Sequence, residues 1–529
     1  MTYHMTNHIS IMKKLLILAG LLALLVGCQK SSQEKLSPVL TSEGGQVQGV
    51  SADNVKDVFV FRGIPYAAAP IRENRWKAPQ PVEPWKGVYL AKRFGNPSYQ
   101  HIQYKGGYYT EWGYGDEAPF SEDCLYLNVW TKKPGQTNAK LPVALWIHGG
   151  GYREGFGTEP EFDAQEWAGK DVILVSINYR LGVFGFLVHP DLCKEGPNGA
   201  AGNYGIMDMI AALKWIKNNI EQFGGDPDNV MIFGQSAGGG AVRTLCESPL
   251  ARGLFHKAVI MSAGGLTVPQ AGGAARGAAP RGAFPGMGAG QPAAPKLAAY
   301  KAPVAPEGLS ALERAAFNTK VVYDWAGYDT IEKMRAADTE IIYAAGTIYS
   351  NATGNMGSVS AAPIVDGYVS LESFDAAAQD GTLADVPYMI GYTMNDMGNM
   401  TDGIAAFCAN RQEKGNKAWA YEFARPLPDD GSHPEVTVRL KGAFHSSDLW
   451  FVFKSLQHCW RPWTKGDWDL SEKMLTYWTN FAKYSDPNGP NGGDWAPCTK
   501  ENPGFMVFKL DAQDNEASAF GSTVTELGY

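Results

Sequence analysis

The stretch that most constrains the fold of this chain is an apolar run that passes abruptly into a serine flanked by glycines. Val230 to Phe233 are apolar and lie between turn-forming residues, which is typical of a short strand buried on both faces. Gly234-Gln-Ser-Ala-Gly238 follows directly. Because its glycines have no Cβ, a strand, a turn and a helix can pack closely together there. The stretch therefore predicts a strand, a sharp turn and a helix, with Ser236 on the turn.

Apolar runs of similar length recur along the chain and alternate with helix-like stretches. The runs expected to form a central sheet are Leu141 to Ile147, Val172 to Ile177, Val230 to Phe233, Lys257 to Met261 and Val386 to Gly391. Residues 206–223 have the apolar spacing of a helix and stop at two glycines, while residues 39–61 alternate as antiparallel strands do. This pattern predicts an α/β fold with a large, mostly parallel β-sheet flanked by helices.

The first residues of the chain have the features of an export signal. Lys13 and Lys14 precede an apolar run from Leu15 to Val26 that is too short to span a membrane. The run ends in Leu25-Val26-Gly27-Cys28, which resembles the lipobox of bacterial lipoproteins and implies lipid attachment at Cys28. We therefore expect a signal peptide over residues 1–27, a lipid-anchored tether over 28–38 and a place in the bacterial cell envelope. An ordinary secretory signal with a chance cysteine is the alternative.

Composition and cysteine spacing narrow the expected partners. The 529 residues carry a net charge of −8 without a basic cluster, so nucleic acid is not an expected partner. Six cysteines follow Cys28, and their pairing into disulfides stays open: Cys124, Cys193, Cys246, Cys408, Cys459 and Cys498. None has the spacing of a metal ligand set, so no metal site is expected. Residues 265–308 are rich in Gly, Ala and Pro and are expected to form a flexible insertion.

Several motifs in a fixed order give the chain a recognisable resemblance. They include Ser121-Glu-Asp-Cys-Leu-Tyr-Leu-Asn-Val129, His148-Gly-Gly-Gly151, Asn178-Tyr-Arg-Leu-Gly182, Phe223-Gly-Gly-Asp-Pro227 and Gly442-Ala-Phe-His445. Together with the Ser236 turn, they resemble the type B carboxylesterases, a cholinesterase-like group with the α/β-hydrolase fold. The resemblance implies one catalytic domain over residues 39–529, with cap or insertion helices, and no cofactor.

The G-x-S-x-G spacing around Ser236 is that of a nucleophile elbow, which needs a histidine base and an acid later in the chain. His445 follows a glycine-led loop and matches the catalytic histidine of the family. We considered His148, His189 and His256 as well, but each belongs to another local feature. The sequence therefore predicts Ser236 as the nucleophile and His445 as the base.

The acid is where this chain departs from the family. The family has a glutamate in a G-x-N-x-D-E-G segment, whereas this chain reads Gly391-Tyr-Thr-Met-Asn-Asp-Met-Gly398. Counting from Gly391 places Asp396 at the glutamate position, and counting back from Gly398 places Met397 there. Only a carboxylate can stabilise the imidazolium, so we predict Asp396 as the acid. Asp448, near His445, is the alternative.

Two further parts of the site follow from the resemblance. His148-Gly-Gly-Gly151 implies an oxyanion hole formed by the N–H groups of Gly150, Gly151 and Ala237. Gln235 stands where many relatives have a glutamate, and an uncharged amide there favours a neutral ester over a choline ester. The family's loop over the pocket is rich in aromatic residues in this chain, and Trp112 and Tyr114 are predicted to line the pocket. Relatives often close this loop with a disulfide to the cysteine that Cys124 matches, but Ser98 stands near the expected partner.

The sequence as a whole predicts a serine hydrolase that cleaves small, neutral carboxylic esters through an acyl-enzyme. Its membrane contact is expected only through the lipid anchor. Cleavage of amides or carbamates is an alternative, since the same triad permits it. A binding protein without catalysis is a second alternative, because some cholinesterase-like chains lack the triad.

Overall fold

The fold is organised around one ten-stranded sheet. The structure, a computed structural model, describes residues 34–102, 107–112, 119–268, 300–355, 359–433 and 436–510, and the compact unit begins at Ser37. Tyr114 and Cys28, and residues 269–299 of the Gly/Ala/Pro-rich insertion, lie outside the described residues. Among the helices described, none is both long enough and apolar enough to cross a bilayer.

Thirteen strands occur in the described part of the chain. They are β1 (Leu40–Ser42), β2 (Gly45–Gln48), β3 (Val50–Ser51), β4 (Phe59–Pro65), β5 (Val88–Leu90), β6 (Tyr126–Thr131), β7 (Leu141–Ile147), β8 (Ile173–Ile177), β9 (Gly225–Gln235), β10 (Lys257–Met261), β11 (Tyr388–Thr393), β12 (Ala418–Phe423) and β13 (Met506–Phe508). The large sheet has the order β13-β12-β11-β10-β9-β7-β8-β6-β4-β3, and β1, β2 and β5 form a separate small sheet. Pairing is parallel from β8 across to β13 and antiparallel from β8 to β3.

The α-helices of the described residues lie mostly between these strands. They are α1 (Tyr109–Trp112), α2 (Gln165–Gly169), α3 (Gly182–Phe186), α4 (Pro190–Glu195), α5 (Tyr204–Asn219), α6 (Ala237–Glu247), α7 (Ala311–Trp325), α8 (Ile331–Ala336), α9 (Thr339–Thr353), α10 (Phe374–Asp380), α11 (Thr401–Glu413), α12 (Leu449–Phe453) and α13 (Lys465–Tyr484). This arrangement of a mostly parallel sheet with flanking helices confirms the predicted fold class.

The apolar runs read from the sequence are the central strands of the sheet. Residues 141–147 and 257–261 coincide with β7 and β10, and residues 386–391 overlap β11. The predicted strand Val230 to Phe233 is the buried half of the longer β9. The sequence underestimates β9 because its first residues, Gly225 to Asn229, are the polar and glycine residues that usually signal a turn.

Both faces of the sheet are buried, as continuous apolar runs require. In β7, Val143 and Leu145 belong to one core cluster, whereas Ala144 and Trp146 belong to the cluster on the opposite face. A third cluster joins α7, α8 and α9 to α3 and α4, which places these helices as an insertion beside the sheet. The side chains of the candidate site, described below, lie at the carboxyl ends of β9 and β11.

Candidate active site

Ser236 lies at a strained turn between β9 and α6. Its φ is 58° and its ψ is −122°, a conformation that L residues adopt only where the surrounding structure enforces it. A Cβ added to Gly238 would lie 2.0 Å from the Ile147 carbonyl oxygen, and one added to Gly234 would lie 2.5 Å from the Gly238 carbonyl carbon. The two glycines are therefore required by close approach, and the turn has the geometry of a nucleophile elbow.

His445 and Asp396 meet at the carboxyl end of β11. His445 donates from Nδ1 to Asp396 Oδ1 at 2.6 Å, and both side chains are almost completely buried. The two loops are joined by their backbones as well, since Asn395 N–H donates to the Ala443 carbonyl at 2.9 Å. The structure thus brings together two of the residues that the sequence singled out.

The local turn holds the Asp396 carboxylate in an ionised form. Met397 N–H donates to Oδ1 at 2.7 Å, and the N–H and hydroxyl of Thr393 each donate to Oδ2 at 3.2 Å. Burial by itself would raise the pKa of Asp396, but the hydrogen bond and charge of His445, with help from Ser262 and Met397, outweigh it and lower that pKa. A carboxylate kept ionised can orient an imidazole and stabilise its protonated form.

Gln235, rather than a second acid, faces the other nitrogen of the imidazole. Its Nε2 lies 3.3 Å from His445 Nε2, and the Gln235 side chain is buried. Because Gln235 directly precedes Ser236, this contact places the elbow beside the imidazole. The ring nitrogen that does not contact Asp396 is thus the one that contacts the residue preceding Ser236.

Asp448 has a different environment from Asp396. It is fully buried and accepts a hydrogen bond from the Tyr421 hydroxyl at 3.1 Å. Burial raises the pKa of Asp448 to about 7. The structure therefore places Asp396, and not the alternative Asp448, in hydrogen-bonding contact with His445.

The glycine turn after β7 lies against the elbow. A Cβ on Gly149 would lie 3.2 Å from Ser236 Cβ, and Gly150 and Gly151 have positive φ values of 88° and 63°. Within the described residues, the N–H groups of Gly150, Gly151 and Ala237 have no protein acceptor. Open N–H groups beside a nucleophile are what an oxyanion hole requires.

The geometry agrees with a comparison to known proteins. The profile of the carboxylesterase family matches residues 36–281 and 398–523, which is well over half of the chain. The chain belongs to the carboxylesterase family. Membership confirms the resemblance stated from the sequence, and the predicted class of carboxylic-ester hydrolase is the class of this family.

Individual relatives of this carboxylesterase include bacterial and animal enzymes. The chain is 43% identical over 223 residues to the fumonisin B1 esterase of Sphingopyxis macrogoltabida, a match that covers 42% of this chain and only 39% of that protein. It is 31% identical to the medium-chain fatty acyl-CoA hydrolase precursor of Anas platyrhynchos, over 91% of this chain and 90% of that protein. A solved carboxylesterase of Geobacillus stearothermophilus superposes with a TM-score of 0.66 at 27% identity, over 89% of this chain and 96% of that one. The similarity confirms the α/β-hydrolase fold.

The other histidines considered from the sequence have structural partners in this carboxylesterase. His148 stacks on Tyr179 with ring centroids 4.4 Å apart, and burial lowers the pKa of His148 to about 3. His189 caps α4 by accepting from Asp191 N–H, and His256 accepts from Val230 N–H. Each of the three is therefore accounted for by its own local contacts.

An aromatic wall stands beside the imidazole, and the sequence identified it only in part. Trp112 stacks on Tyr108 with centroids 5.7 Å apart, and the Tyr108 ring in turn lies 6.0 Å from the His445 ring. Burial, followed by the charge of Asp396, raises the pKa of Tyr108 to about 12, so its hydroxyl stays neutral. The sequence pointed to this aromatic-rich loop but selected Trp112 and Tyr114 from it rather than Tyr108, because periodicity cannot rank neighbouring aromatic residues within one short segment.

Glu154 was also missed by the sequence reading. Its N–H donates to the Gly150 carbonyl at 3.0 Å, and its Cγ lies 3.2 Å from where a Cβ on Gly150 would be. Burial raises the pKa of Glu154 to about 7, so near neutral pH this carboxyl carries less than a full charge. The sequence signal that could have identified Glu154 is a single acidic residue a few residues after the His-Gly-Gly-Gly turn.

Ser98 stands near the position at which the resemblance implies a disulfide partner for Cys124. Ser98 accepts from Leu181 N–H at 3.1 Å and pairs with Ser121 in an isolated parallel bridge. Cys124 is a free, buried thiol whose pKa burial raises far above its usual range. Hydrogen bonds, rather than a bridge to Cys124, therefore hold this part of the loop.

Proposed function

We propose that this chain is a serine hydrolase that cleaves neutral carboxylic esters, with Ser236, His445 and Asp396 as its triad. The observation that carries the proposal is the 2.6 Å contact of His445 Nδ1 with Asp396, made beside the strained turn that bears Ser236. This contact leaves Nε2 of the imidazole, which lies next to the Gln235 amide, as the nitrogen that can accept a proton.

In the first half of the reaction, His445 Nε2 takes the proton of the Ser236 hydroxyl as its oxygen attacks the ester carbonyl. The oxyanion that forms is held by the N–H groups of Gly150, Gly151 and Ala237, each worth roughly 3 kcal/mol in such sites. Asp396 stabilises the imidazolium. His445 then donates its proton to the leaving alcohol, which departs and leaves an acyl group on Ser236.

In the second half, a water molecule takes the place of the alcohol. His445 removes a proton from this water, the hydroxide attacks the acyl carbonyl, and the same N–H groups hold the second oxyanion. Collapse releases the acid, and the proton on His445 returns to Ser236. Every step uses side chains and N–H groups of this chain.

The preference for a neutral substrate rests on Gln235. Its amide is buried beside the imidazole, where a glutamate would add a negative charge able to hold a cationic group. The packed rings of Tyr108 and Trp112 offer an apolar surface for an acyl or aryl group. A panel of acetate, butyrate, long-chain and feruloyl esters, with a choline ester included, tests this preference. A choline ester turned over faster than its neutral isostere would contradict it.

The triad is tested with Ser236→Ala against a 4-nitrophenyl ester. We expect kcat to fall by at least about 10³-fold, because the nucleophile is lost. The matched control is Ser248→Ala, a buried serine just beyond the other end of α6, which should leave kcat nearly unchanged. Labelling by a fluorophosphonate should occur in the wild type and the control but be absent in Ser236→Ala. Labelling at another serine would refute the assignment.

Hydrolysis of amides or carbamates is a second candidate reaction, since the same triad and oxyanion hole would serve it. Matched 4-nitrophenyl ester and 4-nitroanilide substrates with the same acyl group separate the two. If kcat/KM were higher for the anilide than for the ester, amide hydrolysis would replace ester hydrolysis in our proposal. A chain that binds esters but hydrolyses none of these compounds would instead be a binding protein.

We also infer that the mature chain is a lipoprotein attached to the membrane through Cys28. The basis is the sequence from Lys13 to Cys28, with its two lysines, short apolar run and lipobox-like end. Metabolic labelling with a palmitate analogue should mark the wild type and not Cys28→Ser. An unlabelled protein that is secreted free of the membrane would show that the signal is an ordinary secretory one.

A further inference from the structure

Two of the free cysteines lie together in the core. Cys408 is in α11, and Cys498 is in the segment that leads to β13; both are completely or almost completely buried in the same apolar cluster. Side-chain hydrogen bonding between the two thiols raises the pKa of Cys408 and lowers the pKa of Cys498. The sequence alone could not single out this pair among six cysteines.

Hydrogen bonds near Cys408 and near Cys498 hold the two cysteines close together. Gln412 lies one helical turn after Cys408 and therefore on the same face of α11. Its Oε1 accepts from Lys500 N–H at 3.0 Å, and its Nε2 donates to Glu501 at 2.9 Å. Cys498 N–H donates to the carbonyl of Ala418, the first residue of β12, at 2.8 Å. The segment after Cys498 is thus fastened alongside the helix that carries Cys408.

The other buried cysteines have neighbours of a different kind. Cys124 lies beside Ser98 and Cys246 beside Tyr388, while the partly buried Cys459 lies beside Glu111; burial raises the pKa of each thiol well above its usual range. These three are accounted for as small packed side chains.

We propose that Cys408 and Cys498 form a disulfide bond when the chain folds in an oxidising environment. The proposal is independent of the catalytic function. It requires an external disulfide as the oxidant, such as oxidised glutathione or the oxidised active site of a thiol oxidoreductase.

The exchange proceeds in two steps that conserve atoms and electrons. The thiolate of Cys498 attacks one sulfur of glutathione disulfide, forms a mixed disulfide and releases one glutathione thiolate. The Cys408 thiol then loses its proton and attacks the Cys498 sulfur, which releases the second glutathione. Two protein thiols are oxidised and one glutathione disulfide is reduced. Both thiols are buried in the native core, so the first step takes place during folding, before Cys498 is covered.

The proposed disulfide bond would also affect the segment that carries His445. It would close the chain between residues 408 and 498, a segment that includes β12 and His445. Cross-linking distant residues restricts the unfolded chain and stabilises the native state relative to it. The oxidised protein should therefore hold the His445 segment in place at higher temperatures than the reduced protein does.

The test uses the full chain with Cys28→Ser, so that six cysteines remain. The reduced, unfolded protein is refolded with a glutathione redox couple, unfolded again under acid quench and alkylated. We expect four alkylated cysteines instead of six. Trypsin cuts after Arg335, Arg411, Lys483 and Lys500, so the cross-link should join peptides 336–411 and 484–500.

Variants complete the test. In Cys408→Ser and in Cys498→Ser, all five remaining cysteines should alkylate, whereas the control Cys246→Ala should retain the cross-link. Reduction should lower the Tm of the oxidised protein by about 3 °C or more and leave the Tm of Cys408→Ser unchanged. Six reactive thiols after oxidative refolding, or a cross-link between other cysteines, would overturn the proposal.

Discussion

The Nε2 atom of Gln235 lies 3.3 Å from the Nε2 atom of His445, the ring nitrogen opposite the one that contacts Asp396. Because the opposite nitrogen donates to Asp396, Nε2 is the imidazole nitrogen that can accept a hydrogen bond from the Gln235 amide. The residue before Ser236, the proposed nucleophile, is thereby in contact with His445, the proposed base.

Changing Gln235→Glu should therefore move the pH dependence of the reaction. A buried carboxylate near Nε2 cannot donate a hydrogen bond and would stabilise the protonated imidazole. We expect the acid limb of the pH profile of kcat/KM to move to higher pH by about one unit. At pH values below this limb, the activity should then be roughly tenfold lower than that of the wild type. The check is a pH–rate profile with a neutral ester, and Gln235→Met is the uncharged control. An unmoved acid limb in Gln235→Glu would contradict the contact.

The two carboxyl groups near His445 should differ sharply in their importance. Asp396→Asn removes the charge that stabilises the imidazolium and should lower kcat by about 10³-fold to 10⁴-fold. Asp448→Asn, which alters a group bonded to Tyr421, should lower it by less than about tenfold, since it leaves the Asp396 contact intact. Steady-state kinetics of the two folded variants show which of the two carboxyl groups matters more for kcat. The assignment of Asp396 fails if the order of the effects is reversed.

The glycine turn should tolerate no side chain at Gly150. A Cβ there would lie 2.0 Å from the Glu154 carbonyl oxygen and would displace the N–H groups that face the elbow. We expect Gly150→Ala to lower kcat by about 10²-fold or more, with a smaller effect on KM. The matched control is Gly327→Ala, which also has a positive φ but has nothing within 4 Å of its Cβ position. The control should lose some stability and no activity.

Two buried carboxyl groups should make stability depend on pH. Burial raises the pKa of Glu159 to about 7, and burial together with the charge of Glu159 raises the pKa of Glu161 above its ordinary 4.5. The native state therefore keeps protons that the unfolded state loses between about pH 4.5 and 7, so these groups make stability fall as pH rises through that window.

Glu161→Gln should relieve this effect, because it removes one of the two charges. We expect its Tm relative to wild type to be higher at pH 8 than at pH 5, by a few degrees. The measurement is thermal unfolding at both pH values, and Glu472→Gln, at a half-exposed carboxylate, is the control. A Tm difference between variant and wild type that is the same at both pH values would contradict the raised pKa.

Local features of the sequence determined the strands of the sheet and the chemical groups of the site. Apolar runs identified β7, β10 and the buried half of β9, because a strand covered on both faces leaves a continuous apolar signature. The glycines around Ser236 and after His148 indicated sharp turns, because only glycine fits the close approaches found there. These inferences depend on a few adjacent residues and needed no knowledge of packing.

Only the tertiary structure decided which of these groups meet. Asp396 and His445 are 49 residues apart, and the sequence left Asp448 as the alternative to Asp396. The contact exists because the carboxyl end of β11 and the loop after β12 are brought side by side by the sheet and by the Asn395–Ala443 backbone bond. The Gln235–His445 contact and the Cys408–Cys498 pair likewise join distant segments. Periodicity and turn chemistry act over one element, whereas such pairs depend on how all the elements pack.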